Sequence, residues 1–455
     1  MENNKELTQQ SIEQSTDPAA TLLGRWLSVV VILVRVVVGV TFIFSGIVKL
    51  IDPAGTAYKI EDYLMAFNMP MFIPTSMVSS IVLSYIELII GINTLLGSYL
   101  RTTPILLLIF MAVMTPVTLF LAIANPIHDC GCFGDAIHLT NWQTFGKNVI
   151  LLTLSLFLYK YNTKARSVFH REIHSLIVSW CTIYAVVIVY FALSYMPILD
   201  FRPYKIGVDI PAAVYGENDE DVVYEFVYEK DGERQSFTID NLPDETEGWT
   251  FVSREEKNKS RKKVINDLEH FVLYSGNDDV TDMILEQPGF QFLMLSPDLT
   301  KANDDDISRV HELYDYCNEY EYPFYAVTSS SQKEIDAWID NTGGEYPFLF
   351  MDKTTIRTID RNNPFILILN DGVIHYKYPI KAVPDESKLD RPFEQIDNYA
   401  QQQSYNADVR VAILLAGLVV PILILYFAER VALYILRSLR RKLQEKAVGS
   451  SEEDK

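Results

Sequence analysis

The chain has 455 residues, 49% of them hydrophobic, and a formal net charge of −20. That length allows two or three domains, and the apolar residues are gathered into long runs, which marks a membrane protein and not one large soluble core. The acid excess is gathered too: residues 199–409 hold 43 Asp and Glu against 20 Lys and Arg, so this region lacks the basic face that nucleic acid requires.

Residues 1–24 are polar, acidic and aperiodic and read as a disordered tail; they lack the basic start and small-residue cleavage site of a signal peptide. Crossing a hydrocarbon core of about 30 Å takes about 20 apolar residues. Stretches 26–51, 77–96, 104–127, 175–199 and 411–436 reach that length, the last interrupted late by Glu429 and Arg430. Residues 142–159 form the weakest candidate because Lys147 interrupts them, although a lysine near a helix end can snorkel to the interface.

Lys and Arg in short loops mark the cytoplasmic side. Lys160, Lys164, Arg166 and Arg171 follow the fourth span, and Arg437, Arg440, Arg441, Lys442 and Lys446 follow the sixth, whereas residues 102–146 contain no Lys or Arg. Six spans therefore put both termini inside and residues 200–408 outside, on the same side as the loop at 128–134.

Ionisable groups within spans are functional candidates because charge in lipid is costly. Arg35 lies in the first span and Glu87 near the middle of the second. A pair between them would be either a structural tie or part of a proton route. Lys49, followed by Asp52 and Pro53, reads as an interfacial anchor, and Cys181 in the fifth span as a small hydrophobe.

The loop Asp129-Cys130-Gly131-Cys132-Phe133-Gly134 begins where the third apolar run ends. A disulfide needs Cα atoms about 4.4–6.8 Å apart, which Cys-x-Cys meets best in a tight turn of the kind Gly131 permits. Such a ring would be small and strained, and strained exposed disulfides are the labile, oxidising ones. The alternatives are an inert clip or two unpaired thiols. A His128 cation would favour a thiolate here and Asp129 would oppose it.

Within the outer region, residues 208–253 show short alternating runs around Asp231-Gly232, a hairpin signal. These form a small β subdomain, followed by a helix-prone or loop stretch at 254–267. From residue 271 strands alternate with helices: strands at 290–295, 323–328 and 347–351, helices at 304–318 and 334–340, and a hairpin of 366–369 with 373–378 closed by Asn370-Asp371-Gly372. Such an order implies a layered α/β domain.

This order, with Asn363-Pro364 directly before a strand and hairpin, resembles the thioredoxin-like fold, and the resemblance implies a cis bond at Pro364. Redox-active members carry Cys-x-x-Cys after the first central strand, where a helix N-terminus favours a thiolate. Here that position reads Ser296-Pro297-Asp298-Leu299-Thr300. Cys317 sits near the far end of the following helix. The resemblance thus implies a redox-inactive relative, suited to holding a polypeptide or propping the loop, with a reactive Cys317 as the alternative.

Arg35, Gly39, Phe42, Gly46 and Lys49 along the first run, and the Cys130-Gly131-Cys132-Phe133-Gly134 string, resemble the DoxX superfamily and within it the MauE-like branch. The resemblance implies a four-helix bundle over about residues 27–160, a bacterial inner membrane, and a part in redox maturation of exported proteins. The expected layout is a disordered cytoplasmic tail at 1–24, a four-helix membrane domain at 25–160, a cytoplasmic loop and fifth span at 161–199, the β subdomain at 200–270, the thioredoxin-like domain at 271–400, a sixth span at 409–436 and a basic tail at 437–455. The expected chemistry is thiol–disulfide exchange at the outer face, with Cys130 and Cys132 catalytic and thiol-bearing exported proteins and the lipid bilayer as partners. A quinone acceptor rests on analogy alone. The alternative is a non-enzymatic, membrane-anchored binding or assembly factor. A transporter is disfavoured by the few polar groups in the spans, and no Gly-rich phosphate loop or His/Cys ligand spacing supports nucleotide or zinc binding.

Overall fold

The structure, a computed structural model, describes residues 18–125, 131–195, 197–215, 224–230, 233–238, 249–256, 268, 270–396 and 407–453. The chain divides into two compact units, Met1–Phe201 with Ser404–Lys455, and Arg202–Gln403.

The first unit is helical: α1 (Pro18–Ile51), α2 (Pro53–Ala66), α3 (Ser76–Leu96), α4 (Thr102–Ala124), a short strand β1 (Cys132–Asp135), α5 (Asn141–Tyr161), α6 (Arg171–Ser194) and a C-terminal helix, Ala407–Glu453. Among the described residues, five segments are long and apolar enough to cross a membrane: Gly24–Ile51, Pro70–Leu96, Thr102–Ala124, Arg171–Ser194 and Val409–Lys442. The chain is a multi-pass membrane protein. The span expected at 142–159 has the length, since α5 runs for 21 residues, but not the apolarity, because Asn141, Gln143, Lys147 and Asn148 fall in its first half. The asparagines among them turn inward. Asn148 donates to the Thr118 hydroxyl at 3.1 Å, Asn141 to the Asn125 side chain at 2.8 Å, and Asn162, just past α5, to the Leu100 carbonyl at 2.8 Å. Asn125 and Leu100 flank the two ends of α4, so α5 traverses the same length antiparallel to it.

Helices α1 and α3 approach closely because glycines line the contact. A Cβ on Gly46 would stand 2.7 Å from the Leu88 nitrogen, and one on Gly91 2.7 Å from the Ile43 nitrogen. Small residues are what let helix backbones meet in lipid. Asp52-Pro53, read as part of an interfacial anchor, instead starts α2: Asp52 accepts from the Gly55 N–H at 2.8 Å and proline occupies the first turn. The C-terminal helix packs on α6, where Tyr184 donates to the Leu414 carbonyl at 3.0 Å. Glu429, the charge that interrupts this span, accepts from the His170 backbone N–H at 2.7 Å.

The second unit is built on a seven-stranded sheet of order β11-β10-β7-β8-β9-β5-β6. Its strands are β5 (Tyr274–Ser275), β6 (Asp278–Asp279), β7 (Phe290–Ser296), β8 (Phe324–Thr328), β9 (Phe348–Phe350), β10 (Phe365–Asn370) and β11 (Val373–Pro379). Strands β7, β8 and β9 are parallel, and β10 runs antiparallel to both β7 and β11. Every residue of β7 is buried, so the sheet is covered on both faces, and alternation along each strand assigns side chains to one face or the other. Phe292, Met294, Ile366 and Ile368 pack with Val310, Leu313 and Cys317 of a helix at Ile307–Glu319. Leu293, Leu295, Leu367 and Leu369 pack on the other face with Tyr204, Ile210 and Val214. Residues 202–215, expected with the β subdomain at 200–270, therefore belong to the core of the larger sheet; Gly207 N–H also donates to the Ile374 carbonyl at 2.7 Å. Tyr204, Ile210 and Val214 are buried by that packing.

That small sheet has the order β3-β2-β4, from Tyr224–Lys230 (β2), Glu233–Thr238 (β3) and Thr250–Glu256 (β4). Lys230 pairs with Glu233, which leaves the two-residue loop Asp231-Gly232, itself outside the described residues. Asn363–Pro364 is a cis bond.

Candidate functional site

Ser45 and Lys49 are one turn apart on α1 and face Glu87 on α3. Lys49 Nζ lies 2.8 Å and 3.0 Å from the two Glu87 carboxylate oxygens, and Ser45 donates to Glu87 Oε2 at 2.7 Å. Lys49 is 3% exposed and Glu87 4%. Isolated, either charge would be expensive in this setting; paired and hydrogen-bonded, they are sustainable.

The Ser45 oxygen also stands 2.8 Å from the Cys132 carbonyl, so the buried cluster holds the backbone of β1. Two glycines let the chain turn onto it. Gly131 has φ +63° and Gly134 φ +54°, the left-handed region glycine enters at no steric cost, and Gly134 N–H closes the turn on the Gly131 carbonyl at 3.0 Å. The Lys59 side chain of α2 packs over Gly131, where a Cβ would meet its Cγ at 3.1 Å. On the other side Lys147 Nζ sits 4.2 Å from the Phe133 ring centroid.

Two small cavities flank Cys132. One, of about 30 Å³, is lined by Ser45, Lys49, Glu87, Lys147 and Asn148 with Phe110 and Met111. The other, of about 40 Å³, is lined by Lys49, Thr56, Lys59, Tyr63, Thr118 and Gly131. Cys132 borders both. Each is the size of one or two waters and short of an aromatic quinone ring.

Cys132 is half-buried at this seat. Cys130, His128 and Asp129, the other residues expected here, lie outside the described residues. Arg35 does not meet Glu87, and Lys49 is not an interfacial anchor. Fourteen residues separate Arg35 from Lys49 on α1, about 21 Å of helix, so Arg35 lies at the opposite end of the bundle. There its guanidinium donates to the Asn162 side chain at 2.7 Å and to the carbonyls of Asn162, Ala165 and Arg166 at 2.6, 3.1 and 2.9 Å, tying α1 to the segment after α5. The sequence did carry a signal for the true partner: serine and lysine four apart in an apolar run share one helix face.

Cys181 and Cys317 are both fully buried, and burial pushes the Cys317 thiol up, away from reactivity. Around Asn363, which precedes the cis Pro364, the described contacts are polar. Ser296 donates to the Asn363 side chain at 2.7 Å, Asn363 to the Asp298 carbonyl at 2.8 Å, and Asn303 N–H to the Asn363 carbonyl at 2.9 Å. Burial alone would raise the Asp298 carboxyl, but hydrogen bonds from Thr300 and Lys353 and the charges of Lys353 and Lys301 hold it below its ordinary value. Polar cross-links thus fill the position at 296–300.

Residues 27–161 match the family model described as methylamine utilisation protein MauE. The bundle is MauE-like. The match begins in α1 and ends with α5, so Ser45, Lys49, Glu87, Cys130 and Cys132 all fall inside the MauE-like segment, while α6, the C-terminal helix and the second unit fall outside it. Residues 222–261, which contain the three-stranded sheet, match a domain of unknown function, DUF8463. No curated protein and no solved structure matches the chain.

Proposed function

We propose that this protein exchanges thiols and disulfides at the extracytoplasmic face of a bacterial inner membrane through Cys130 and Cys132. The observation that carries the reading is the seat of Cys132: a glycine-hinged turn fixed by Ser45 to a buried Lys49–Glu87 pair at one end of the MauE-like bundle. A structural clip needs no buried charged floor, whereas a sulfur that changes charge gains from fixed polar groups beneath it. In the exchange, a thiolate of an exported protein attacks one sulfur of the Cys130–Cys132 disulfide, forming a mixed disulfide and releasing the other sulfur as thiolate. A second thiolate of that protein then displaces the first sulfur. The exported protein loses two electrons and gains a disulfide; the Cys130/Cys132 pair takes up the electrons and becomes a dithiol.

The placement rests on α5, which matches α4 end to end and so counts as a sixth crossing beside the five apolar ones. With six crossings and the Lys/Arg-rich loops inside, the Cys132 turn and the acidic unit share the outer side. The second unit, thioredoxin-like in strand order and in its cis Pro364 but cross-linked at 296–300, serves as a binding domain for clients. The MauE description names methylamine utilisation, and an exported enzyme of that process is the type of client it brings to mind.

Cys130→Ser and Cys132→Ser are each expected to raise the free-thiol content of exported proteins to the level of a strain lacking the whole protein, as read by gel-shift alkylation. Unchanged exported thiols in both variants would overturn this reading and leave an anchored binding factor.

A further inference from the structure

The end of the bundle opposite Cys132 carries a basic rim. Its hub is the segment after α5, to which three helices are tied. Ser28 of α1 donates to the Lys164 carbonyl at 2.8 Å, Val168 N–H donates to the Leu96 carbonyl at the end of α3 at 3.0 Å, and Arg430 of the C-terminal helix donates to the Val168 carbonyl at 3.0 Å. From inside, Arg35 gathers the carbonyls of Asn162, Ala165 and Arg166. The hub backbone is thus held inward by one buried guanidinium, while the Arg166 and Arg171 side chains are exposed. The C-terminal helix adds Arg437, Arg440, Arg441 and Lys442, all exposed; Arg437 and Arg441 are seven and eleven residues beyond Arg430 and share its helix face. No ion pair among the described residues engages any of these six cations. The acids described at this end are Glu172, exposed, and Glu429, buried against His170.

Aromatic rings mark the same level. Trp26 at the start of α1, Tyr159 near the end of α5 and Tyr434, three residues before Arg437, are all exposed. Exposed Trp and Tyr sit where hydrocarbon meets the headgroup layer, so the cations lie at the height of the lipid phosphates. We propose that this rim binds the headgroups of anionic phospholipids, with the hub and the C-terminal helix supplying the charge. The surrounding lipid is the partner that the geometry favours over an acidic protein, because its phosphates reach the rim wherever the bundle spans a bilayer. A zwitterionic headgroup brings its own cation and gains less from the rim, and guanidinium forks suit phosphate oxygens.

Lipid retention tests this. Full-length protein is reconstituted in vesicles of equal parts phosphatidylglycerol and phosphatidylcholine, extracted in mild detergent, and the lipid that stays with it is quantified by mass spectrometry. The parent protein is expected to keep phosphatidylglycerol in excess, and the excess to shrink as salt is raised, because exposed charges are screened. The combined change Arg437→Gln, Arg440→Gln, Arg441→Gln and Lys442→Gln is expected to cut the excess at least about tenfold, each cation near a headgroup layer contributing about fivefold at low salt. Lysine at the three arginine positions is expected to keep most of it, an outcome that tracks charge and not side-chain shape. All four side chains are exposed, so the glutamine variant is expected to melt with the parent, as followed by alkylation of the buried Cys181. Equal retention of the two lipids by the parent protein overturns the proposal and leaves the rim to an acidic protein. An excess that survives both the glutamine changes and high salt overturns it as well. Retention reads this end of the bundle alone, so it stands or falls independently of the exported-thiol assay.

Discussion

Lys49→Met is expected to destabilise the bundle by about 3–5 kcal/mol, because it leaves the Glu87 carboxylate buried with its cation gone. The double change Lys49→Met with Glu87→Met is expected to recover most of that loss, since a well-packed apolar pair of similar volume costs little against a buried ion pair. The asymmetry is the point. A surface anchor, as Lys49 reads from its position near the end of an apolar run, would give a single-variant cost within about 1 kcal/mol and no recovery in the double. Thermal unfolding in detergent, followed by the alkylation of the fully buried Cys181, reports the loss of packing in the same unit. Equal costs for the single and double variants would contradict the assignment of Lys49 and Glu87 as mutually dependent. The double variant also separates stability from chemistry: it is expected to fold while losing the fixed floor beneath Cys132, and so to exchange thiols poorly.

Gly46→Leu is expected to be nearly as damaging, at about 3 kcal/mol or more. A Cβ there stands 2.7 Å from the Leu88 nitrogen and 2.8 Å from the Ser84 carbonyl oxygen, both backbone atoms of α3 that cannot rotate away. The helices must separate, and Glu87, next in sequence to Leu88, is carried away from Lys49. Gly146→Leu on α5 is the control, because a Cβ there meets nothing within 4 Å. It is expected to fall within about 0.5 kcal/mol of the parent. The same detergent melt checks both, and similar melts for Gly46→Leu and Gly146→Leu would remove the close α1–α3 contact from the account.

Much of the fold is legible from apolar patterning alone. Runs of about 20 apolar residues become helices, and the β7, β8 and β10 segments, read as strands from their apolar runs, are neighbours in the large sheet. Three things escape that reading for physical reasons. The helix α5 carries polar residues at its start: Asn141 donates to Asn125, just past α4, and Asn148 to Thr118 of α4, so its hydropathy understates its role in the bundle. The partner of Glu87 depends on how far α1 slides along α3, which the glycine contacts fix and which no count along one helix reveals; hence Arg35 was the wrong cation and Lys49 the right one. The stretch 202–215 joins the large sheet through a long-range packing choice, although nothing local distinguishes it from the small sheet that follows. Cys132 stands out in the sequence, but its floor of Ser45, Lys49 and Glu87 comes from two helices and becomes visible only when they are packed.

The most direct measurement of the central claim is the redox state of Cys130 and Cys132 in native membranes, read by sequential labelling with two alkylating reagents of different mass before and after addition of an unfolded exported protein bearing free thiols. The account predicts a pair that is oxidised at rest and becomes a dithiol as the added protein gains its disulfide, one pair for one bond. A Cys130–Cys132 pair that stays oxidised throughout, or two thiols labelled equally before and after, would contradict it.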